Sequence, residues 1–273
     1  MAMAARLDGR IAIVSGASRG VGRTYALALA EAGARVLALA RSAEGDPAVP
    51  GTLAELAATA TARGLTIEPR ACDVGDESSI ASAVAHAAKR FGGVDILINN
   101  AVSAIRQFNA LAVPPEEWDA TFRVNVRAPY AFMRECIPHM IARGGGSIVN
   151  ITSGAAGVTK PGMGAHGFPA YAVTKAALER LTTYFAAEHA EAGIAVNAVS
   201  PGNVGYYTRD DAEPDAAYWG DPMVHLAAQR PADGLTGRIL HTYEYGRSWG
   251  PDGARPLTDA IRDMLRVSGA PIG

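Results

Sequence analysis

Cysteine, lysine and aromatic residues are scarce in this chain, and each scarcity narrows what it can be. Two cysteines, Cys72 and Cys136, stand far apart in 273 residues, too few and too widely spaced for a disulfide scaffold, a zinc site or a redox pair. They fit a reduced, cytoplasmic protein with no bound metal. Aromatics make up only 7%, and no apolar run reaches the roughly 20 residues that cross a bilayer. The start, Met1 to Asp8, has no apolar core of a secretion signal. Neither sign of charge dominates: 25 basic and 27 acidic residues are interspersed, for a net charge of -2. That balance argues against a nucleic-acid or acidic-membrane partner. Lysine occurs only at Lys89, Lys160 and Lys175, the other basic residues being arginine. With the high Ala and Gly content this looks like a coding bias, so most arginines carry no special meaning.

What is present is the composition of a compact protein, 49% hydrophobic and 19% charged. One domain over 1–273 is expected, with a core at about 8–242. Short apolar runs alternate with longer helical stretches. Strands are predicted at Arg10–Val14, Arg35–Ala40, Leu65–Ala71, Val94–Ile98, Ser147–Thr152, Ile194–Val199 and, as a seventh, Leu235–Thr242. Helices are predicted at about Val21–Ala32, up to Gly64, over Glu77–Phe91, from Pro114 to Gly144 with breaks at Pro129 and Pro138, and over Pro169–Ala192. Apolar strands alternating with helices imply a Rossmann-like, doubly wound parallel α/β sheet covered on both faces. Ligands of such sheets bind beyond the carboxyl ends of the strands, where the strand order reverses.

Tyr171 and Lys175 stand four apart in Pro169-Ala-Tyr-Ala-Val-Thr-Lys175. On a helix that spacing puts a phenol and an ammonium on one face. A free tyrosine titrates near 10, and a neighbouring cation lowers that value toward neutrality. The pair alone also fits an ordinary solvated helix face. A second signal lies in Ser15-Gly-Ala-Ser-Arg-Gly-Val-Gly22, where glycines at 16, 20 and 22 follow the first strand. Such a turn lets a pyrophosphate approach the amides at a helix N-terminus.

Taken together these motifs resemble the short-chain dehydrogenase/reductase family over roughly residues 8 to 242. Gly16-x-x-x-Gly20-x-Gly22, Asp73, Asn99-Asn-Ala101, Asn125, Ser153, Tyr171-x-x-x-Lys175 and Pro201-Gly202 occur in the family's order. The resemblance implies a dinucleotide held by Gly16, Ser18, Arg19, Gly20, Val21 and Gly22, then by Arg41, Asp73, Val74, Asn99, Ala101, Pro201, Gly202 and Val204, with Tyr171 and Lys175. It implies that Tyr171 is the general acid or base and that Ser153 hydrogen-bonds the substrate oxygen. Lys175 would lower the tyrosine pKa and bond the nicotinamide ribose, and Asn125 would hold a water relaying protons from Lys175. The expected function is interconversion of a secondary alcohol and a ketone; a small-molecule partner and a homotetramer or dimer follow from the family.

Cofactor choice has a physical handle. A carboxylate closing the second strand would repel a 2′-phosphate, but Ala40 and Arg41 stand there, with Arg19 in the glycine turn. Two guanidiniums suit that phosphate, so NADP(H) is expected over NAD(H). An NAD-linked enzyme of the same fold and a catalytically silent nucleotide sensor are the alternatives.

The chain departs from the family at four places. Val102 replaces the usual glycine after Asn-Asn-Ala. Pro161–Pro169 is longer than usual and carries His166, which leaves Thr152 as an alternative hydrogen-bond donor to Ser153. Tyr206 takes the place of a threonine, with Thr208 nearby. The stretch 203–225, with Tyr207, Tyr218, Trp219 and Met223, is expected to form a lid, and Tyr243 to Gly273 an extra tail with a short helix at 258–266.

Overall fold

Short apolar runs that end in glycine-rich turns become strands, and the Ala-rich stretches between them become helices. A computed structural model describes residues 6–41, 51–104, 109–157, 168–202 and 216–251. The strands are β1 (Ile11–Ser15), β2 (Arg35–Ala40), β3 (Ile67–Ala71), β4 (Ile96–Asn99), β5 (Gly146–Ile151), β6 (Ile194–Ser200) and β7 (Ile239–His241). They form one parallel sheet in the order β3-β2-β1-β4-β5-β6-β7. The helices are α1 (Gly20–Glu31), α2 (Leu53–Ala62), α3 (Glu77–Phe91), α4 (Pro115–Phe122), α5 (Ala128–Ala142), α6 (Pro169–His189) and α7 (Ala216–Ala228). One core layer joins α1, α2 and α7 to the sheet through Tyr25, Leu29, Leu56, Trp219 and Leu226. The other joins α3, α5 and α6 through Ile80, Val84, Phe132, Met133 and Phe185. This is the doubly wound sheet that alternating apolar runs imply.

The differences from the sequence-based expectation have local causes. β3 is the sheet edge, so its run Ile-Glu-Pro-Arg-Ala is half-exposed rather than apolar, and Pro69 is tolerated there. β7 is shorter than expected, because the left-handed turn at Gly237 precedes it. The long helical region breaks at neither proline. Its break is a π turn at Arg123–Arg127, while Pro129 sits in the first turn of α5 and Pro138 inside it. The described part of the expected lid, from Ala216, is α7. There Tyr218 and Met223 are buried against the body and Trp219 is 1% exposed, so this half of the stretch belongs to the core. In the described start of the expected tail, Trp249 joins the same core and its ring lies 6.3 Å from that of His225 on α7. The tail helix expected at 258–266 lies outside the described residues.

The two sheet edges differ in character. At the amino edge, buried Asp95 takes the Ile11 N–H at 2.8 Å and the Arg143 Nε–H at 2.9 Å, tying β1, β4 and the end of α5 together. At the carboxyl edge the turns carry the candidate chemistry.

Candidate active site

Sheet order brings motifs that are far apart in sequence side by side along the carboxyl edge. Reading from β3 to β6, the strand ends are followed by Asp73, Arg41, the glycine turn, Asn99-Asn-Ala101, Ser153 and Pro201-Gly202. The order reverses between β1 and β4, which is where crevices form in such sheets.

The glycines of the first turn do different work. A Cβ on Gly16 would stand 2.9 Å from the Ala101 Cα, and one on Gly22 would collide with the Gly16 carbonyl. Both are therefore required for close packing of β1, α1 and the β4 turn. Gly20 has φ +55 and open space around its missing side chain, so it alone leaves the helix end accessible. α1 begins at Gly20 with no side-chain cap and no acidic residue in its first turn. Its orphan N–H groups and positive dipole end are thus available to an anion, as a pyrophosphate requires. Exposed Arg19 caps that turn, and Gly51 packs its backbone against it. Arg41 follows β2 as an exposed residue, adjacent to the turn because Ala17 donates to the Leu39 carbonyl at 2.9 Å. Asp73 accepts the Gly75 N–H at 2.9 Å, while Val74 is buried.

Asn99 and Asn100 point opposite ways, as successive strand residues do. Asn99 is buried and its amide donates to Asn150 Oδ1 at 2.8 Å, inside the core. Asn100 instead donates to the carbonyls of Ser15 and Gly16, both at 3.0 Å, and so holds the glycine turn. Ser15 Oγ takes the N–H groups of Asn100 and Ala101 and donates to Ile98. Ser15 and Asn100 are the residues that sequence reasoning missed. The alternation at the end of β4 was the signal for Asn100.

α6 starts at Pro169 and brings Tyr171 and Lys175 to the end of β5. Lys175 is only 3% exposed; its Nζ donates to the Ile151 carbonyl at 2.6 Å and lies 5.5 Å from the centre of the Tyr171 ring. Burial pushes the ammonium down to about 8, and Glu179 pulls it partly back. Burial raises the Tyr171 phenol, and a hydrogen bond with Ser153 offsets part of that rise. The direction is opposite to the lowering expected from Lys175. The cause is shared desolvation: the ammonium is turned toward a carbonyl and the phenol has left water. Ser153 Oγ also takes the Ala155 N–H. Thr152, the alternative donor, spends its hydroxyl on Glu179 at 2.7 Å.

Asn125 sits in the π turn, buried, with its side chain fully engaged. Its Oδ1 takes the Ser103 N–H, and its Nδ2 donates to the Ser103 carbonyl and to Thr174 Oγ1. It therefore latches the loop after β4 to α6. Its own carbonyl lies four residues before Pro129, which has no N–H to close an α-helical bond to it. Pro201 is anchored by Trp219, whose indole donates to its carbonyl at 2.9 Å. Gly202 follows with φ +86. Val102 is 52% exposed beside the latch. Val204, His166, Tyr206, Tyr207 and Thr208 lie outside the described residues.

A parallel sheet with an uncapped helix N-terminus at its switch point, and a Ser, Tyr and Lys gathered at its carboxyl edge, defines a Rossmann-like, doubly wound α/β fold with a candidate site there. Residues 10–216 match the family model described as short chain dehydrogenase, and the chain belongs to that family. It is 36% identical over 196 residues to a short chain dehydrogenase of Monascus purpureus, covering 72% of this chain and 65% of that protein. It is 38% identical over 197 residues to dehydrogenase/reductase SDR family member 4 of Bos taurus, covering 72% and 66%. The match thus spans about two thirds of the length of these curated relatives. Among solved structures, a metagenomic short-chain oxidoreductase in complex with NADP superposes with TM-score 0.72 at 32% identity, over 86% of this chain and 97% of that one. A short-chain type dehydrogenase/reductase from Mycobacterium marinum superposes with TM-score 0.74 at 27% identity, over 86% and 94%.

Proposed function

We propose that this protein is an NADP(H)-dependent oxidoreductase that interconverts a secondary alcohol and a ketone, with Tyr171 as general acid/base. The observation that carries it is the meeting of Ser153, Tyr171 and buried Lys175 at the carboxyl edge, in line with an uncapped helix N-terminus. The residues fit a dinucleotide: the backbone of 16–22 would hold its pyrophosphate, and Asp73, Ala101, Pro201 and Gly202 would line the rest of the edge. When bound, the nicotinamide supplies or accepts the hydride.

The chain supplies everything else. Tyr171 gives a proton to the ketone oxygen or takes it from the alcohol. Ser153 donates to the same oxygen and steadies the charge that develops there. Lys175 places a cation behind the phenol. Asn125 holds the loop that borders the site to α6, and in this reading it would hold the water that relays protons from Lys175. NADPH oxidation against a panel of ketones tests the reading; binding of NADPH with no turnover on any of them would point to a sensor instead.

The preference for NADP(H) rests on Arg19 and Arg41, exposed beside the turn with no carboxylate at the end of β2. Arg41→Ala is expected to raise KM for NADPH about tenfold, the equivalent of ~1.4 kcal/mol, with little effect on NADH. Equal KM changes for both cofactors, or a native preference for NADH, would refute it.

Self-association is part of the same proposal. Tyr130 on α5 and Val173 and Tyr184 on α6 are large apolar residues left exposed, which supports a second copy on that face. Free, buried Cys72 and Cys136 suit the reduced cytoplasm.

A further inference from the structure

We propose that Glu179, pinned by the hydroxyl of Thr152, is a positioning residue that keeps Lys175 cationic at the working pH. The inference rests on the reading of Lys175 given above. Tyr171, Lys175 and Glu179 recur every four residues on α6, so the three side chains lie along one helix face. The end of β5 meets that face at two consecutive residues. The Ile151 carbonyl takes the Lys175 ammonium at 2.6 Å, and the next residue, Thr152, donates its hydroxyl to Glu179 Oε1 at 2.7 Å. Thr152 is itself fixed: it is buried, and its N–H goes to the Val199 carbonyl on β6 at 2.9 Å.

An unpinned glutamate on a helix flank would swing into solvent and be screened. Here the carboxylate is partly buried and held one turn beyond the ammonium. Lys175 needs such a counter-charge, because a carbonyl alone does not offset the desolvation of a buried cation. Among the described residues, the titratable groups that face it are few. Tyr171 and Glu179 come from α6 itself; β5 contributes only neutral Ile151, Thr152 and Ser153; the π turn contributes Asn125 through Thr174, with Arg123 and Arg127 exposed. Burial pushes the ammonium down to about 8 and Glu179 opposes that push, so the carboxylate favours the cation at neutral pH.

The composition makes a direct test possible, since the chain has only three lysines. In the full-length, cofactor-free protein labelled at lysine Cε, NMR titration follows Lys89, Lys160 and Lys175 separately, with Lys175→Arg giving the assignment. Glu179→Gln keeps an acceptor for Thr152 and removes the charge; it is expected to lower the Lys175 midpoint by about one unit. Thr152→Val is expected to lower it by a smaller amount, and Thr152→Ser to restore it. In the oxidation direction, the rise of kcat/KM with pH is expected to move to higher pH in Glu179→Gln, because a neutral lysine no longer eases ionisation of Tyr171. A Lys175 midpoint that stays put in folded Glu179→Gln or Thr152→Val overturns the proposal, as does a shifted midpoint with an unshifted pH profile. The titration reads the free protein, so its outcome is separate from whether Tyr171 and Lys175 catalyse at all.

Discussion

Tyr171→Phe is expected to lower turnover about 10³-fold while leaving NADP(H) binding within about twofold, because positioned acid–base groups contribute roughly 10² to 10⁴. The substitution removes one oxygen. The ring that Lys175 approaches at 5.5 Å remains, as does the first turn of α6 behind Pro169. Ser153 loses a partner at the site but keeps the Ala155 N–H, so its hydroxyl stays oriented. The loss therefore reports the proton rather than the scaffold. The state of the phenol also sets a direction. Burial raises Tyr171 above its ordinary value, so the free protein holds it protonated at neutral pH. A protonated phenol is ready to act as an acid on a ketone, whereas alcohol oxidation needs the phenolate. The kcat/KM for oxidation is thus expected to climb with pH above 7, and that for reduction to be flat there. Steady-state rates in both directions, with cofactor affinity from fluorescence, check both statements. Activity within tenfold of the parent in Tyr171→Phe would end the acid/base assignment.

Much of this was legible in the sequence, for a physical reason. Short apolar runs such as Ile11–Val14 and Ile194–Val199, bounded by glycine-rich turns and alternating with longer helical stretches, fit buried strands, so the sheet follows from pattern. The candidate site residues follow the same pattern, most lying just beyond a strand end and Asn125, Tyr171 and Lys175 on the helical segments that follow. What sequence conceals is which way a polar side chain faces once neighbours arrive. Asn99 and Asn100 are adjacent and identical, yet one locks into Asn150 in the core and the other into the glycine turn. Thr152 and Ser153 are equally alike on paper, and only α6 packing gives the first to Glu179 and the second to Tyr171. Aromatic content in the stretch before His225 fits substrate contact and packing on the body equally well. Tyr218 and Trp219 read as lid residues, but Trp219 is the anchor of the Pro201 carbonyl and part of the core. The sign of the Tyr171 shift was hidden for the same reason, because burial is a property of the packed chain.

Lys175→Met is expected to give a stability curve that crosses that of the parent as pH rises. In the unfolded chain Lys175 titrates near its ordinary 10.5, and in the folded protein at about 8. Between those values the unfolded chain holds more protons, so parental stability increases with pH across that window. Below about 8 the full penalty of the buried cation is present, and near 10.5 it has gone. The window is worth roughly 3 kcal/mol. Methionine fills the same space without charge, so the variant lacks this dependence, but it leaves the Ile151 carbonyl without the bond from Nζ, at about 1 kcal/mol at every pH. Urea unfolding is then expected to find Lys175→Met more stable than the parent by ~2 kcal/mol at pH 7, and less stable by ~1 kcal/mol near pH 10.5. Ionisation at high pH of the cysteines and of tyrosines remote from Lys175 occurs in both proteins and cancels in the difference. Parallel curves would mean that the lysine is not buried as an ammonium. A crossing, together with lost turnover at pH 7, would show that the chain carries a charge it would fold better without. A fold retains such a residue where the charge acts on a neighbour, and under the proposed mechanism that neighbour is Tyr171, whose ring centre lies 5.5 Å from Nζ.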